Sequence, residues 1–414
     1  MYENAAVLAL FVLGYSVVAG RVERSWMSGP IVFTAAGVIL GPNVLGLLRL
    51  DLDALDLRVL AEATLAMVLF TDAANANLRV LRSTVTLPER LLLIGLPLTI
   101  LLGFAVGWLI FPDLGFLELG LLATMLAPTD AALGKPVVVN PAVPANIRES
   151  LNVESGLNDG LCVPIIVILL GLAIGTQIKH GTATHILLVV VEELGIGAVV
   201  GLALAMGGVV LLRWAAALGW LSNTWSLVSV PALAGACFAM AQAIGGSGFI
   251  ACFAGGLLLG ALLPKHRRER LRSVEGVGEA LSLMTWLVFG SIVASQLLNH
   301  ASLAFILYAV LSLTVVRMLP VALCLLGARV TFAESLLVGW FGPRGLTSIV
   351  FAILVFDAEL PGNRTLIPTV AWTVVLSVIA HGLTANSFAR LLATRTTPVG
   401  VDNASTRPAA GLPP

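Results

Sequence analysis

The stretch Pro144–Gly175, PANIRESLNVESGLNDGLCVPIIVILLGLAIG, decides what kind of molecule this is. From Val163 to Leu170 it is nearly all aliphatic, and the whole stretch exceeds the ~20 residues that a helix needs to cross a hydrocarbon core roughly 30 Å thick. Its first half nevertheless carries Glu154, Ser155, Asn158 and Asp159. At ~100° per residue these fall at relative angles of roughly 0°, 100°, 40° and 140°, so one side of the helix is polar inside an apolar run. A charge at bilayer mid-depth costs at least ~2.5–3.5 kcal/mol, so such residues need a reason to be there.

Working outward, twelve more apolar stretches accompany it, at roughly 5–20, 29–48, 57–78, 88–111, 115–139, 183–212, 223–244, 248–264, 276–298, 301–328, 332–356 and 366–392. Hydrocarbon cannot satisfy backbone polar groups, so spanning segments are helices or a closed barrel, and these runs are far longer than ~10-residue barrel strands. The fold class expected is an all-α polytopic membrane protein of about 13 transmembrane helices. Composition agrees: of 414 residues 58% are apolar and 11% charged, against about 25% charged in soluble domains, and the mean hydropathy is +1.00. Lys+Arg and Asp+Glu both total 23, which excludes a nucleic-acid binder resting on net charge. Cys162, Cys237, Cys252 and Cys324 stand far apart in apolar runs and read as small buried hydrophobes. The first stretch lacks a basic n-region and is read as a span, not a cleaved signal. No βαβ pattern or glycine fingerprint is present, so residues 1–394 read as one membrane domain and 395–414, rich in Pro, Thr, Ala and Gly, as a short disordered cytoplasmic tail.

Basic residues set the orientation. Arg21 and Arg24 follow the first stretch, Arg79, Arg82 and Arg90 flank the third gap, Lys135 and Arg148 the fifth, and Lys265, Arg267, Arg268, Arg270 and Arg272 follow the ninth stretch. The gap after the second stretch balances Arg49 and Arg58 against three aspartates. By the positive-inside bias the odd gaps are cytoplasmic, giving an outside N-terminus and a cytoplasmic C-terminus. The 265–279 region, basic then amphipathic, is read first as a topology signal and second as a surface helix.

Two stretches hold proline among polar or glycine neighbours at mid-depth: Ala127-Pro128-Thr129-Asp130 and Gly342-Pro343-Arg344-Gly345. Proline removes a donor and frees a carbonyl, and such neighbours let the chain unwind. The two lie seven spans apart, an odd offset, which suggests inverted repeats over about 1–175 and 223–392 whose broken helices cross near the midplane. The alternative is two ordinary kinks. Inside the spans sit Asp130, Glu154, Asp159, Arg317 and Arg344. An arginine stays protonated and holds a carboxylate ionised beside it, so the acid left without an arginine is the one able to take proton or cation in turn. Na⁺, a hard cation, wants oxygen ligands, which the polar arc offers together with carbonyls freed near Thr129.

A-P-T-D, E-S-G-L-N-D, Ser247–Gly256 (S-G-F-I-A-C-F-A-G-G) and F-G-P-R-G at Phe341–Gly345 together resemble the bacterial NhaP-type sodium/proton antiporters of the cation:proton antiporter-1 family, which includes the NHE exchangers. The resemblance runs through nearly the whole chain in order. It implies electroneutral one-for-one antiport of Na⁺, or alternatively Li⁺ or K⁺, against H⁺ in pH homeostasis, with no cofactor. It further implies a homodimer in lipid, in which stretches 4–6 and 11–13 move against the rest. Asp159 matches the aspartate that binds cation and proton alternately, Ser155 and the Thr129 backbone match ion-site oxygens, and Asn158 matches the asparagine of the electroneutral branch. Glu154 matches an acid paired with an arginine, here Arg317, and Arg344 matches the arginine that compensates the broken-helix ends. Asp72, in Phe70-Thr71-Asp72-Ala73, loosely matches an acid at the ion entrance. Asp130 stands open between a ligand and a brace of the crossing, Asn158 between a ligand and a packing element.

Two other functions compete. A passive cation channel would use the same acids, although broken helices and a titratable site suit alternating access. A rhomboid-like intramembrane protease would use Gly245-Gly246-Ser247-Gly248 with His381 as base, but it leaves Glu154 and Asp159 unexplained. His381 is otherwise a satisfied interior histidine.

Overall fold

The computed structural model describes residues 2–22, 27–49, 54–76, 87–130, 133, 143–177, 183–262, 271–294, 297, 301–328 and 330–396. They form helices α1 (Tyr2–Val22), α2 (Gly29–Leu40), α3 (Ala54–Asn75), α4 (Leu87–Ile110), α5 (Phe116–Met125), α6 (Ala145–Gln177), α7 (Ala183–Ala217) and α8 (Asn223–Ala243). There follow α9 (Gly248–Leu262), α10 (Leu271–Val288), α11 (Leu303–Leu313), α12 (Val315–Cys324), α13 (Phe332–Trp340), α14 (Leu346–Asp357) and α15 (Asn363–Thr396). Among the described residues there is no strand, and seven helical segments are long and apolar enough to cross a membrane, with four shorter apolar helices beside them. The protein is an all-helical, multi-pass membrane protein, as its apolar runs demand.

Several boundaries differ from the expected stretches. The second stretch stops being helical at Leu40, because Gly41-Pro42 turns the chain and Gly46, at φ +63°, takes it through a left-handed bend. The stretch 301–328 is divided at Thr314, whose backbone leaves the helical region at φ −108°, ψ −91°. The amphipathic residues 271–279 are the first turns of α10 and not a separate surface helix. Helical structure continues to Thr396, past the expected start of the tail. The tail beyond Thr396 lies outside the described residues, as do Arg24, Arg79, Arg82, Lys135, Lys265, Arg267, Arg268 and Arg270.

Packing divides the helices into two groups. In one, α3 lies against α9 and α10, α7 against α8 and α9, and α2 against α10 and the π-turn Phe289–Ala294. Contact there is close: a methyl on Gly256 or Gly260 of α9 would run into the α3 backbone at Phe70 or Ala74. In the other group α4 packs on α5, α11 and α12, α5 on α6 and α14, α12 on α13, and α15 on α11 and α14. The groups meet where α6 touches α3, α7 and α9, where α14 touches α3 and α10, and where α15 touches α2 and the π-turn. At this seam the Phe253 ring occupies the space a side chain on Gly160 would need. Arg58 of α3 reaches across it to Asp357 at the end of α14, Nη1 to Oδ2 at 2.6 Å.

Candidate functional site

The site begins where α5 stops. Ala127 N–H turns onto Thr124 O at 3.3 Å, Pro128 has no N–H to give, and the chain runs unwound to Asp130. On the other side α13, started by a Thr331–Glu334 capping box, ends at Trp340, and residues 341–345 are unwound before α14 begins. These two segments cross and bond each other. Asp130 N–H donates to Pro343 O at 2.8 Å, and Leu346 N–H donates to Asp130 Oδ2 at 2.8 Å. Arg344 Nη1 donates to Ala127 O at 2.6 Å and Pro128 O at 3.0 Å, so its charge lies at the carboxyl end of α5. Its own backbone N–H donates to Ser377 Oγ of α15 at 2.8 Å. Only glycine fits at Gly345, because a Cβ there would collide with the Asp130 carboxylate.

The polar arc of α6 faces this crossing. Ser155 Oγ donates to Thr129 O at 2.6 Å, and Asn158 Nδ2 donates to Thr129 Oγ1 at 2.7 Å. Asp159, 5% exposed, accepts the Thr347 hydroxyl on Oδ2 at 2.5 Å. Among the described residues Asp159 Oδ1 and Asn158 Oδ1 are buried without a hydrogen-bond partner. One turn earlier on α6, Glu154 Oε1 meets Arg317 Nη1 of α12 at 2.6 Å, with both side chains buried. Arg317 follows the Thr314 break, and its guanidinium lies where a Cβ on Gly342 would be. Thus Thr129, Asp130, Ser155, Asn158, Asp159 and Arg344 meet at one crossing, with Glu154 and Arg317 adjoining it on α6.

Asp72 is brought to the seam. Its Cβ lies 3.5 Å from where a Cβ on Gly156 would stand, one α6 turn before Asp159. Further along α3, Asn75 Nδ2 donates to Glu275 Oε1 of α10 at 2.7 Å. Among the described residues no three His, Cys, Asp or Glu side chains are grouped closely enough to hold a metal ion. The four cysteines are buried free thiols.

Thr347 and Ser377 are the site residues the sequence did not reveal. Both sit in apolar helical runs, where a hydroxyl usually serves its own helix. His381 is held on both sides, with Nδ1 2.9 Å from Ser377 O and Nε2 2.8 Å from Trp340 O. Ser247 instead bonds through its backbone to Glu193 O at 3.0 Å, and no described contact joins it to His381.

The family model "Sodium/hydrogen exchanger, transmembrane" matches residues 7–391. The chain belongs to this exchanger family. It is a transporter family and not an enzyme family, which removes the protease reading. The exchanger is 25% identical to the K⁺/H⁺ antiporter NhaP2 of Shewanella oneidensis over 412 residues, covering 93% of this chain and 67% of that protein. It is also 25% identical to NhaP2 of Shewanella sp. strain MR-4, covering 87% and 62%. The chain therefore spans about two thirds, or slightly less, of the length of these relatives. Its fold is that of the sodium proton antiporter MjNhaP1 from Methanocaldococcus jannaschii, with a TM-score of 0.72 at 21% identity over 95% of this chain and 99% of the other.

Proposed function

We propose that the exchanger carries out electroneutral, one-for-one antiport of a monovalent cation, Na⁺ or alternatively Li⁺ or K⁺, against H⁺. The observation that carries this reading is Asp159 itself: a buried carboxylate at the crossing, to which, among the described residues, no arginine is bonded and whose Oδ1 has no hydrogen-bond partner. Proton and cation each neutralise it with one positive charge, so they compete, and the unloaded anion crosses poorly because its burial is uncompensated. Ser155 Oγ and Thr129 O, at 2.6 Å from one another, supply neutral oxygens beside it. Asp130 acts as a brace, since its carboxylate accepts the Leu346 N–H. Asn158 keeps the site at one negative charge while packing on Thr129. Arg317 neutralises Glu154, Arg344 the end of α5, and Asp72 draws cations toward the seam. A passive pore would leave the tightly bonded crossing and the two packed helix groups without a purpose.

The group holding α4–α6 and α11–α15 is proposed to move against the other, which forms a homodimer in the bacterial inner membrane. Residues 1–394 form the exchanging domain, with inverted repeats over about 1–175 and 223–392, an outside N-terminus and a cytoplasmic C-terminus. The relatives named K⁺/H⁺ antiporters make K⁺ as much a candidate as Na⁺. Proteoliposomes carrying a pH-sensitive dye, challenged in turn with Na⁺, Li⁺ and K⁺ at clamped membrane potential, test the reading. Saturable, voltage-independent proton movement driven by one of them supports it. Cation flux without proton movement restores the channel.

A further inference from the structure

Most threonines within the described helices give their hydroxyl proton to their own helix four residues back: Thr64 to Leu60 O at 2.7 Å, Thr99 to Gly95 O at 2.8 Å, Thr124 to Gly120 O at 2.8 Å, Thr373 to Thr369 O at 2.7 Å. Thr347 does not. It stands in the first turn of α14, where the carbonyl four residues back belongs to Pro343 and accepts the Asp130 N–H. Its hydroxyl instead crosses to α6 and donates to Asp159 Oδ2 at 2.5 Å. The neighbouring Leu346 N–H goes to Asp130 Oδ2 at 2.8 Å. One turn of α14 thus offers two adjacent donors to two different carboxylates.

We propose that Thr347 is a positioning residue of the ion site: its hydroxyl pins one oxygen of Asp159 and leaves Oδ1 as the single oxygen for which proton and cation compete. The proposal rests on the exchange reading above. A hydroxyl donating to Oδ2 fixes the carboxylate torsion from the opposite helix, so Oδ1, buried and without a partner among the described residues, keeps one direction. A proton arriving on Oδ1 leaves the Thr347 bond in place, and so does a cation, so the two loaded forms present the same crossing. Without the hydroxyl the carboxylate can turn, and its two oxygens become equivalent. Cation binding, which needs Oδ1 aligned with other oxygens, suffers more than the protein's integrity.

The test uses the purified full chain and its thermal stabilisation by Na⁺, Li⁺ and K⁺, titrated for wild type, Thr347→Val and Thr347→Ser, with KM and kcat for the same cations from proteoliposomes. Valine keeps the shape and removes the hydroxyl; serine keeps the hydroxyl. A hydrogen bond to a charged group corresponds to about tenfold or more in an equilibrium, so Thr347→Val is expected to raise the half-saturating cation concentration and KM by about that factor, with kcat changing less. Thr347→Ser should return both to within about threefold of wild type, well under the 1.4 kcal/mol that marks tenfold. If the valine variant is not recovered folded, Thr347→Ala is read by the same criterion. Wild-type saturation in the variant lacking the hydroxyl, no rescue by serine, or no saturable stabilisation of wild type by any of the three cations would overturn the proposal. A wild type that binds cation but moves no proton overturns the exchange reading alone, because the binding ratios still decide Thr347.

Discussion

Arg317 and Glu154 form a buried ion pair, Nη1 to Oε1 at 2.6 Å, that joins α12 to α6 one turn before Asp159. Removing one partner strands the other charge in a low-dielectric interior, which costs about 3–5 kcal/mol, whereas replacing both by apolar groups of similar volume is often close to neutral. Glu154→Gln and Arg317→Met should therefore each lower the melting temperature in detergent sharply. The double variant Glu154→Leu/Arg317→Met should recover much of the loss. Wild-type stability in both single variants would show that the pair holds nothing together.

Arg344 satisfies two carbonyls at the end of α5, those of Ala127 and Pro128. Arg344→Met leaves both buried without that donor, at about 1–3 kcal/mol each, and removes the positive charge from the carboxyl end of the helix. Lower thermal stability together with loss of transport is expected. Arg344→Lys, with its compact ammonium in place of a forked guanidinium, should recover only part of either, measured by the same melting and flux assays.

Gly345 has the Asp130 carboxylate where a side chain would be. Gly345→Ala must push Asp130 off the Leu346 N–H, and overpacking of this kind costs typically about 1–3 kcal/mol. Because the displaced group braces the crossing, transport is expected to fall further than the melting temperature indicates. Transport at wild-type rate in this variant would mean that the Asp130–Leu346 bond is dispensable.

Asp72 stands at the seam beside Gly156 and makes none of the Thr129–Ser155–Asn158 bonds. If it draws cations in by its charge, Asp72→Asn should raise KM a few-fold while largely sparing the maximal rate, and the difference should shrink as inert salt is added, since screening shortens the field to about 10 Å at 0.1 M. Abolished turnover at saturating cation would instead make Asp72 part of the binding step.

The apolar stretches were legible because a helix that crosses the hydrocarbon needs about 20 apolar residues, and even the unwinding near Pro128 and Pro343 could be read from proline beside glycine or threonine. The shortening of α2 follows from Gly41-Pro42, a signal hidden inside a run that stays apolar to Leu48. The break at Thr314 was not legible from its own neighbours, Thr-Val-Val being compatible with a continuous helix; Pro320, which disturbs the preceding turn, is the signal nearest to it. Arg317 lies 163 positions from Glu154 (317 − 154), so only a resemblance could suggest that they meet. Thr347 was invisible for a different reason. A threonine in an apolar helix ordinarily bonds its own backbone, and nothing in its neighbours tells that its first-turn position sends the hydroxyl across to Asp159.

The central claim is that one carboxylate, Asp159, carries proton and cation in turn, and the most direct measurement compares wild type with Asp159→Asn in proteoliposomes under an imposed cation gradient. Asparagine keeps the volume and can still accept the Thr347 hydroxyl, so the variant should insert, fold and melt near the wild-type temperature. The account predicts cation-driven proton movement in wild type and none above the empty-liposome background in Asp159→Asn. Sustained cation-dependent proton movement by a folded Asp159→Asn protein would contradict it.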